Sequence, residues 1–311
     1  MQPFSRRQFL QRTAATVPAV ALAPSLFLGG SMTATAADPV PAAPTRIGSQ
    51  LYGWGQYYDR EKKDLGAHLD EVFSALRDMG CDYAEGSVDS ANPDANAAFA
   101  ERLKSKGLRP VSLYTGGAFH DERAGATVDA LVRAGAVCAK AGFEVIVCNP
   151  DPIGRDKTAA ELVTQGRALA RLGKELGALG LRLGLHHHTP ELRNEAREFH
   201  HNFAMTEAGQ VDFCIDTHWM YRGGVAPMDA LRQYGGRVVS WHLRQSREGV
   251  WWEDLDSGDI DYGEIARFAR ERGIPRRFSV ELALEQGTRI TRGAVENHRR
   301  SVEYLRRVFA A

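Results

Sequence analysis

From Ile47 onward, two kinds of hydrophobic pattern alternate along the chain. Short, nearly continuous apolar runs read as strands buried on both faces. Longer stretches with an apolar residue every three or four positions read as amphipathic helices. The runs fall at 47–54, 81–86, 108–117, 143–150, 181–188, 211–218, 238–244 and 278–284. The helical patterns fall at 65–79, 95–106, 124–141, 159–179, 197–206, 227–234, 262–272 and 294–309. Three junctions repeat one form, Gly107-Leu108-Arg109, Gly142-Phe143-Glu144 and Gly180-Leu181-Arg182, in which a glycine stops a helix just before a strand starts. Eight strands separated by helices require parallel pairing through right-handed crossovers. That number predicts an α/β chain closed into a (β/α)8 TIM barrel. No G-x-G-x-x-G follows the first strand, so nothing supports a dinucleotide fold.

The residues before this pattern read differently. Ser5-Arg6-Arg7-Gln8-Phe9-Leu10 is a twin-arginine pattern, a moderately apolar stretch runs over 14–29, and Ala34-Thr35-Ala36 offers small residues for cleavage. Residues 1–37 are therefore expected to be an export signal, 38–46 a linker and 47–311 the barrel, with the mature protein periplasmic or otherwise exported and free of the membrane. The 39 basic and 39 acidic residues cancel, which argues against a nucleic-acid partner. At 43% hydrophobic and 25% charged the chain can bury a sizeable core. Its four cysteines show no C-x-x-C spacing and are expected to be free, mostly buried thiols.

Candidate chemistry gathers at the carboxyl ends of the last four strands, where barrels of this type carry their active sites. LRLGLHHH, VDFCIDTH, VVSWHLR and FSVELAL each end in imidazoles or carboxylates. Alternation places His186 on one face with Gly184, Asp216 with Cys214, His242 with Ser240 and Glu281 with Ser279. A small residue thus lies two positions below each polar one, as a packed floor beneath a roomier mouth would need. Two carboxylates and one or two imidazoles around a point suit one divalent ion, Mn²⁺ being the expected one, with Zn²⁺, Co²⁺ or Mg²⁺ as alternatives. Glu85 ends strand 2 facing inward, as a base or substrate-binding carboxylate. Trp54, Tyr57, Tyr58, Tyr114, Trp251 and Trp252 lie on loops near strand ends, and one or two of them are expected to stack on a substrate ring.

LGLHHHTPEL, CIDTHW, SWHLRQ with the later SGDIDY, and SVELAL resemble the xylose isomerase-like barrel family over about residues 47–309. The resemblance implies one metal ion held at the ends of strands 5 to 8, with Asp216, His242 and Glu281 at three of the four positions. At the first position the common pattern is a Glu-Asn-His run and this chain has His186, so His186 or the nearby Glu191 would complete the set. His188, further out on the same face, becomes a substrate contact or proton carrier, while His187 faces away. His218, two residues past Asp216, and Arg244, two past His242, would line the mouth, Arg244 pinning a substrate oxygen or carboxylate. The resemblance implies a sugar isomerase or epimerase working through an enediolate. A keto-sugar lyase or dehydratase, for example on a 3-keto-glycoside, and a non-catalytic sugar-binding barrel remain open. A small carbohydrate is the expected partner, and relatives often form homodimers.

Overall fold

A computed structural model describes residues 45–309. The twin-arginine pattern, the cleavage site and most of the linker lie outside the described residues. Eight strands form one closed parallel barrel in chain order. They are β1 (Arg46–Gln50), β2 (Tyr83–Ser87), β3 (Ser112–Gly117), β4 (Val145–Pro150), β5 (Arg182–Leu185), β6 (Asp212–Asp216), β7 (Val238–Leu243) and β8 (Arg277–Val280), with β8 pairing back onto β1. The (β/α)8 TIM barrel is therefore the fold. Outside the strands lie α1 (Leu51–Arg60), α2 (Leu69–Asp78), α3 (Asp94–Ser105), α4 (Ala124–Ala141), α5 (Ala159–Ala178), α6 (Arg193–Ala204), α7 (Thr217–Arg222), α8 (Pro227–Tyr234), α9 (Tyr262–Glu271) and α10 (Ala294–Phe309).

The main core lies between strands and helices, and a small separate cluster of Val145, Val147, Cys214 and Val239 fills the barrel interior. Gly107, Gly142 and Gly180 all take positive φ, at +79°, +99° and +83°, the left-handed conformation a helix-ending glycine supplies. All four cysteines are buried and free. No helix among the described residues is long and apolar enough to cross a membrane.

Three departures from the sequence pattern shape the site. The first strand stops at Gln50 and α1 begins at Leu51, because the Gln50 side chain accepts a hydrogen bond from the Tyr52 amide and caps the helix. The stretch 51–54, expected as strand, is the first turn of a helix, which carries Trp54 and Tyr57 into the core. Trp54 donates to Ser49 Oγ at 2.9 Å and stacks on His298, and Tyr57 bonds Asn297. Neither is a sugar platform. In the same way β6 ends at Asp216 and the backbone turns at once into α7. Finally, the β6–β7 pairing slips by one residue between Phe213 and Cys214. Phe213 pairs with Val238, but Cys214 pairs with Ser240 and Asp216 with His242. This bulge brings the last two polar residues side by side.

Candidate metal centre

His186, Asp216, His242 and Glu281 are buried together where β5, β6, β7 and β8 end, and one donor atom from each lies within 4.8 Å of the others. Each is aimed by its neighbours. Asp216 Oδ1 accepts hydrogen bonds from the amides of His218 (2.9 Å) and Trp219 (2.7 Å) at the start of α7. That leaves Oδ2 facing His186 Nε2 at 3.5 Å. His186 Nδ1 lies 3.3 Å from Asn149 Oδ1 at the end of β4. The Asn149 amide nitrogen is committed to two acceptors, the Pro150 carbonyl (2.8 Å) and Glu191 Oε1 (3.2 Å). Its oxygen must therefore face the imidazole, so Nδ1 carries the proton and Nε2 presents a lone pair to the centre. His186 Nε2 is buried without a hydrogen-bond partner. His242 sits between two carboxylates, Nδ1 at 3.0 Å from Glu281 Oε2 and Nε2 at 2.7 Å from Glu85 Oε1, neither aligned as a hydrogen bond.

These donors fit a divalent cation: two carboxylates, two imidazoles, and an orphaned buried nitrogen aimed at the common point. Burial pushes His186 well below the usual histidine range, so it is neutral at neutral pH, as a ligand must be. Burial opposes the charges on Asp216 and Glu281. Arg244, within ion-pair distance of both, outweighs it, and both carboxyls stay ionised. Arg244 Nη2 reaches both, at 3.2 Å from Asp216 Oδ2 and 2.7 Å from Glu281 Oε1. Its guanidinium also lies over the rings of Trp219 (5.2 Å) and Trp251 (4.6 Å). Its Nε and Nη1 have no hydrogen-bond partner.

The remaining sequence candidates separate. Glu191, the rival for the fourth position, is not among the converging donors. Its carboxylate accepts from the His188 amide at 3.0 Å and from Asn149, closing the short turn Thr189–Leu192. Burial raises it to about 7. Glu85 is fully buried against His242 and accepts from Ser112 Oγ at 2.5 Å, so it sits behind an imidazole, although it also touches the cavity. His188 lines the cavity, its ring against His186 and Trp219. His218 does not line it. The turn into α7 carries it beneath Trp251, whose Nε1 donates to His218 Nδ1 at 3.2 Å. His187 faces the helices, packed on Phe199 and Phe213. Tyr114 and Trp251 line the cavity, whereas Trp252 stacks with Arg247 outside it.

Sequence reading passed over Asn149 and Trp219. Asn149 ends its strand as the four donors end theirs, which was a usable signal. Trp219 lies beyond the point where the strand was expected to stop, and nothing in the pattern marks the turn that brings it back.

The donors open into a cavity of about 680 Å³ at the carboxyl ends of the strands. The sequence profile of the xylose isomerase-like TIM barrel matches residues 73–308, more than half of the chain. The protein belongs to the xylose isomerase-like TIM barrel family. Solved structures agree on the fold. A sugar phosphate isomerase/epimerase from Parabacteroides distasonis ATCC 8503 superposes with a TM-score of 0.68 at 19% identity, covering 88% of this chain and 98% of its own. An L-ribulose 3-epimerase gives 0.68 at 18%, covering 86% and 95%. A 3-keto-D-glucoside 4-epimerase from E. coli gives 0.60 at 16%, covering 85% and 100%. No curated protein gives a significant match to the sequence.

Proposed function

We propose that this member of the xylose isomerase-like family is a divalent-metal-dependent sugar isomerase or epimerase acting through an enediolate. The observation that carries the reading is the convergence of His186, Asp216, His242 and Glu281 at the floor of an open cavity. A divalent cation there would act as a Lewis acid, stabilising the negative charge that a sugar carbonyl gains when the adjacent carbon loses its proton. The protein's own groups do the rest. His188 lines the cavity, and burial lowers its pKa, so at neutral pH it is free to accept a proton and later return it. Arg244 has two unpartnered nitrogens with which to hold a substrate oxygen. Tyr114, Trp219 and Trp251 give the cavity apolar walls that shed water. The twin-arginine pattern at residues 5–10 supports an exported enzyme.

A second reading shares the first step. If the carbon next to the deprotonated one carries an aglycone or hydroxyl, the electron pair forms a C=C bond and the group leaves with a proton, which makes the enzyme a keto-sugar lyase or dehydratase. A cavity larger than one sugar ring favours keeping this reading.

Two measurements test the proposal. Purified protein should hold one divalent ion by elemental analysis, and Glu281→Ala and Asp216→Asn should lose it. Equal metal in variant and wild type removes the basis for the reading. Candidate keto-sugars isomerised in D₂O should gain deuterium next to the carbonyl, and an isomer formed without exchange overturns the enediolate step. Product mass then separates the two readings: unchanged mass means isomerisation, and loss of water or aglycone means elimination.

A further inference from the structure

The cavity extends beyond the metal centre along a surface with different chemistry. Helix α1 presents Leu51, Gly55 and Asp59, spaced by four residues, and beside them Tyr52 and Gln56. These form one stripe of the helix. Leu65 and Leu69, from the turn before α2 and the start of α2, complete the wall. Leu51, Leu65 and Leu69 pack partly on the core and are only half-buried, so each leaves apolar surface facing the cavity.

The two side-chain amides beside this wall are already used. Gln50 Oε1 caps α1, and the Gln56 amide makes two bonds to the backbone of Leu284, 2.9 Å to its carbonyl and 2.6 Å from its N–H. The same two bonds fasten the wall to the segment that follows Glu281. Gly55 forms a recess: a Cβ built there meets only Leu65 Cδ2, at 3.7 Å.

Charge narrows the ligand further. Arg244 is the one arginine or lysine among the described residues lining the cavity; its Nη2 is held by Asp216 and Glu281 of the metal centre, and its two unpartnered nitrogens are the ones assigned above to a sugar oxygen. The wall itself contributes the carboxylate of Asp59 and no cation. A phosphate or carboxylate would meet apolar surface and a like charge. At about 680 Å³ the cavity is in the size range of sites for drug-sized ligands, roughly 300–1,000 Å³. One sugar ring over the donors leaves much of it free.

We propose that this wall is a second subsite that binds an uncharged, apolar substituent on the sugar, so that the substrate is a glycoside with an aromatic or alkyl aglycone and not a free monosaccharide or a sugar phosphate. The proposal rests on the reading of the site as one for keto-sugar chemistry.

Equilibrium binding to the metal-loaded protein tests it without turnover. Phenyl β-D-glucopyranoside should bind at least tenfold more tightly than methyl β-D-glucopyranoside, since even one methylene in a fitted apolar pocket is worth about tenfold or more. Glucose 6-phosphate should bind no better than the methyl glycoside. Gly55→Leu, which fills the recess, and Leu69→Asn, which makes it polar, should each cut the phenyl-to-methyl ratio at least fivefold with metal content and unfolding midpoint retained. The ratio of kcat/KM for the phenyl and methyl 3-keto-glucosides should change in parallel. Equal binding of phenyl and methyl glycosides, tighter binding of the phosphate, or an unchanged ratio in both variants overturns the subsite. Deuterium exchange reports separately on the chemistry. Phenyl preference without exchange refutes the enediolate reading alone, and exchange without preference refutes the subsite alone.

Discussion

A carboxylate can offer a cation only the oxygen its neighbours leave free. At Asp216 the α7 amides occupy one oxygen and leave the other to the centre. At His186 the same restriction comes from Asn149, which fixes the ring and its tautomer. Glu191 in turn orients Asn149, so the residue that competed for the fourth position on sequence grounds acts at one remove from it. Groups that orient a ligand typically govern metal affinity by about 10–100-fold. Asn149→Leu should weaken metal binding by that factor in a chelator competition, while kcat at saturating metal falls much less. An unchanged metal affinity would show that His186 needs no such guide.

Among the elements, the least regular is α6. Asn194, Glu195 and Ala196 have φ of +51°, +59° and +57°, three consecutive non-glycine residues in the left-handed region. Each such residue costs roughly 1–2 kcal/mol. Glu195 is exposed, so its side chain can be removed without opening the core. Glu195→Gly should raise stability by about 0.5–1 kcal/mol in denaturant unfolding, the relief of strain exceeding the flexibility glycine adds to the unfolded chain. Destabilisation would mean that the Glu195 side chain matters more than its backbone conformation. The β6–β7 bulge is the other irregular element. A strict ladder would pair Asp216 with Trp241, whose side chain lies among the outer core residues Phe278 and Phe309, and the Asp–His pair would be lost.

For the molecule as a whole, acid is the condition it should tolerate least. Burial depresses His187 to about 3 and both His218 and His298 to about 4. Their neutral forms add stability that is present above the unfolded value near 6.5 and lost as pH falls toward the folded values. Glu191 has the opposite sign. Raised to about 7, it contributes stability below its unfolded value near 4.5 that is lost as pH rises toward 7. Near pH 5.5 the unfolded chain therefore holds three extra protons on the histidines and one fewer on the glutamate, a net excess of about two. Stability of the metal-depleted protein should rise by roughly 2–3 kcal/mol per pH unit there. Chemical denaturation at pH 5, 6 and 7 measures this, and His298→Phe should flatten the slope by about half. A flat profile would mean that these histidines take up protons in the folded state.

Sequence alone determined the barrel, the order of its elements and the strand ends that carry the donors. Those features follow from hydrophobic period and glycine stops, which are local properties of the chain. Alternation also separated His186 and His188 from His187, because the side-chain period of a strand is fixed by its backbone. Tertiary structure decided what depends on neighbours distant in sequence. The turns after Gln50 and Asp216 carried Trp54 and His218 away from the mouth, where an extended strand would have left them. Asn149, 37 residues before His186, became its guide only when β4 and β5 paired. The single-residue slip between β6 and β7 aligned Asp216 with His242. A shift in register leaves the pattern of apolar residues unchanged, so it is legible only once the strands are side by side.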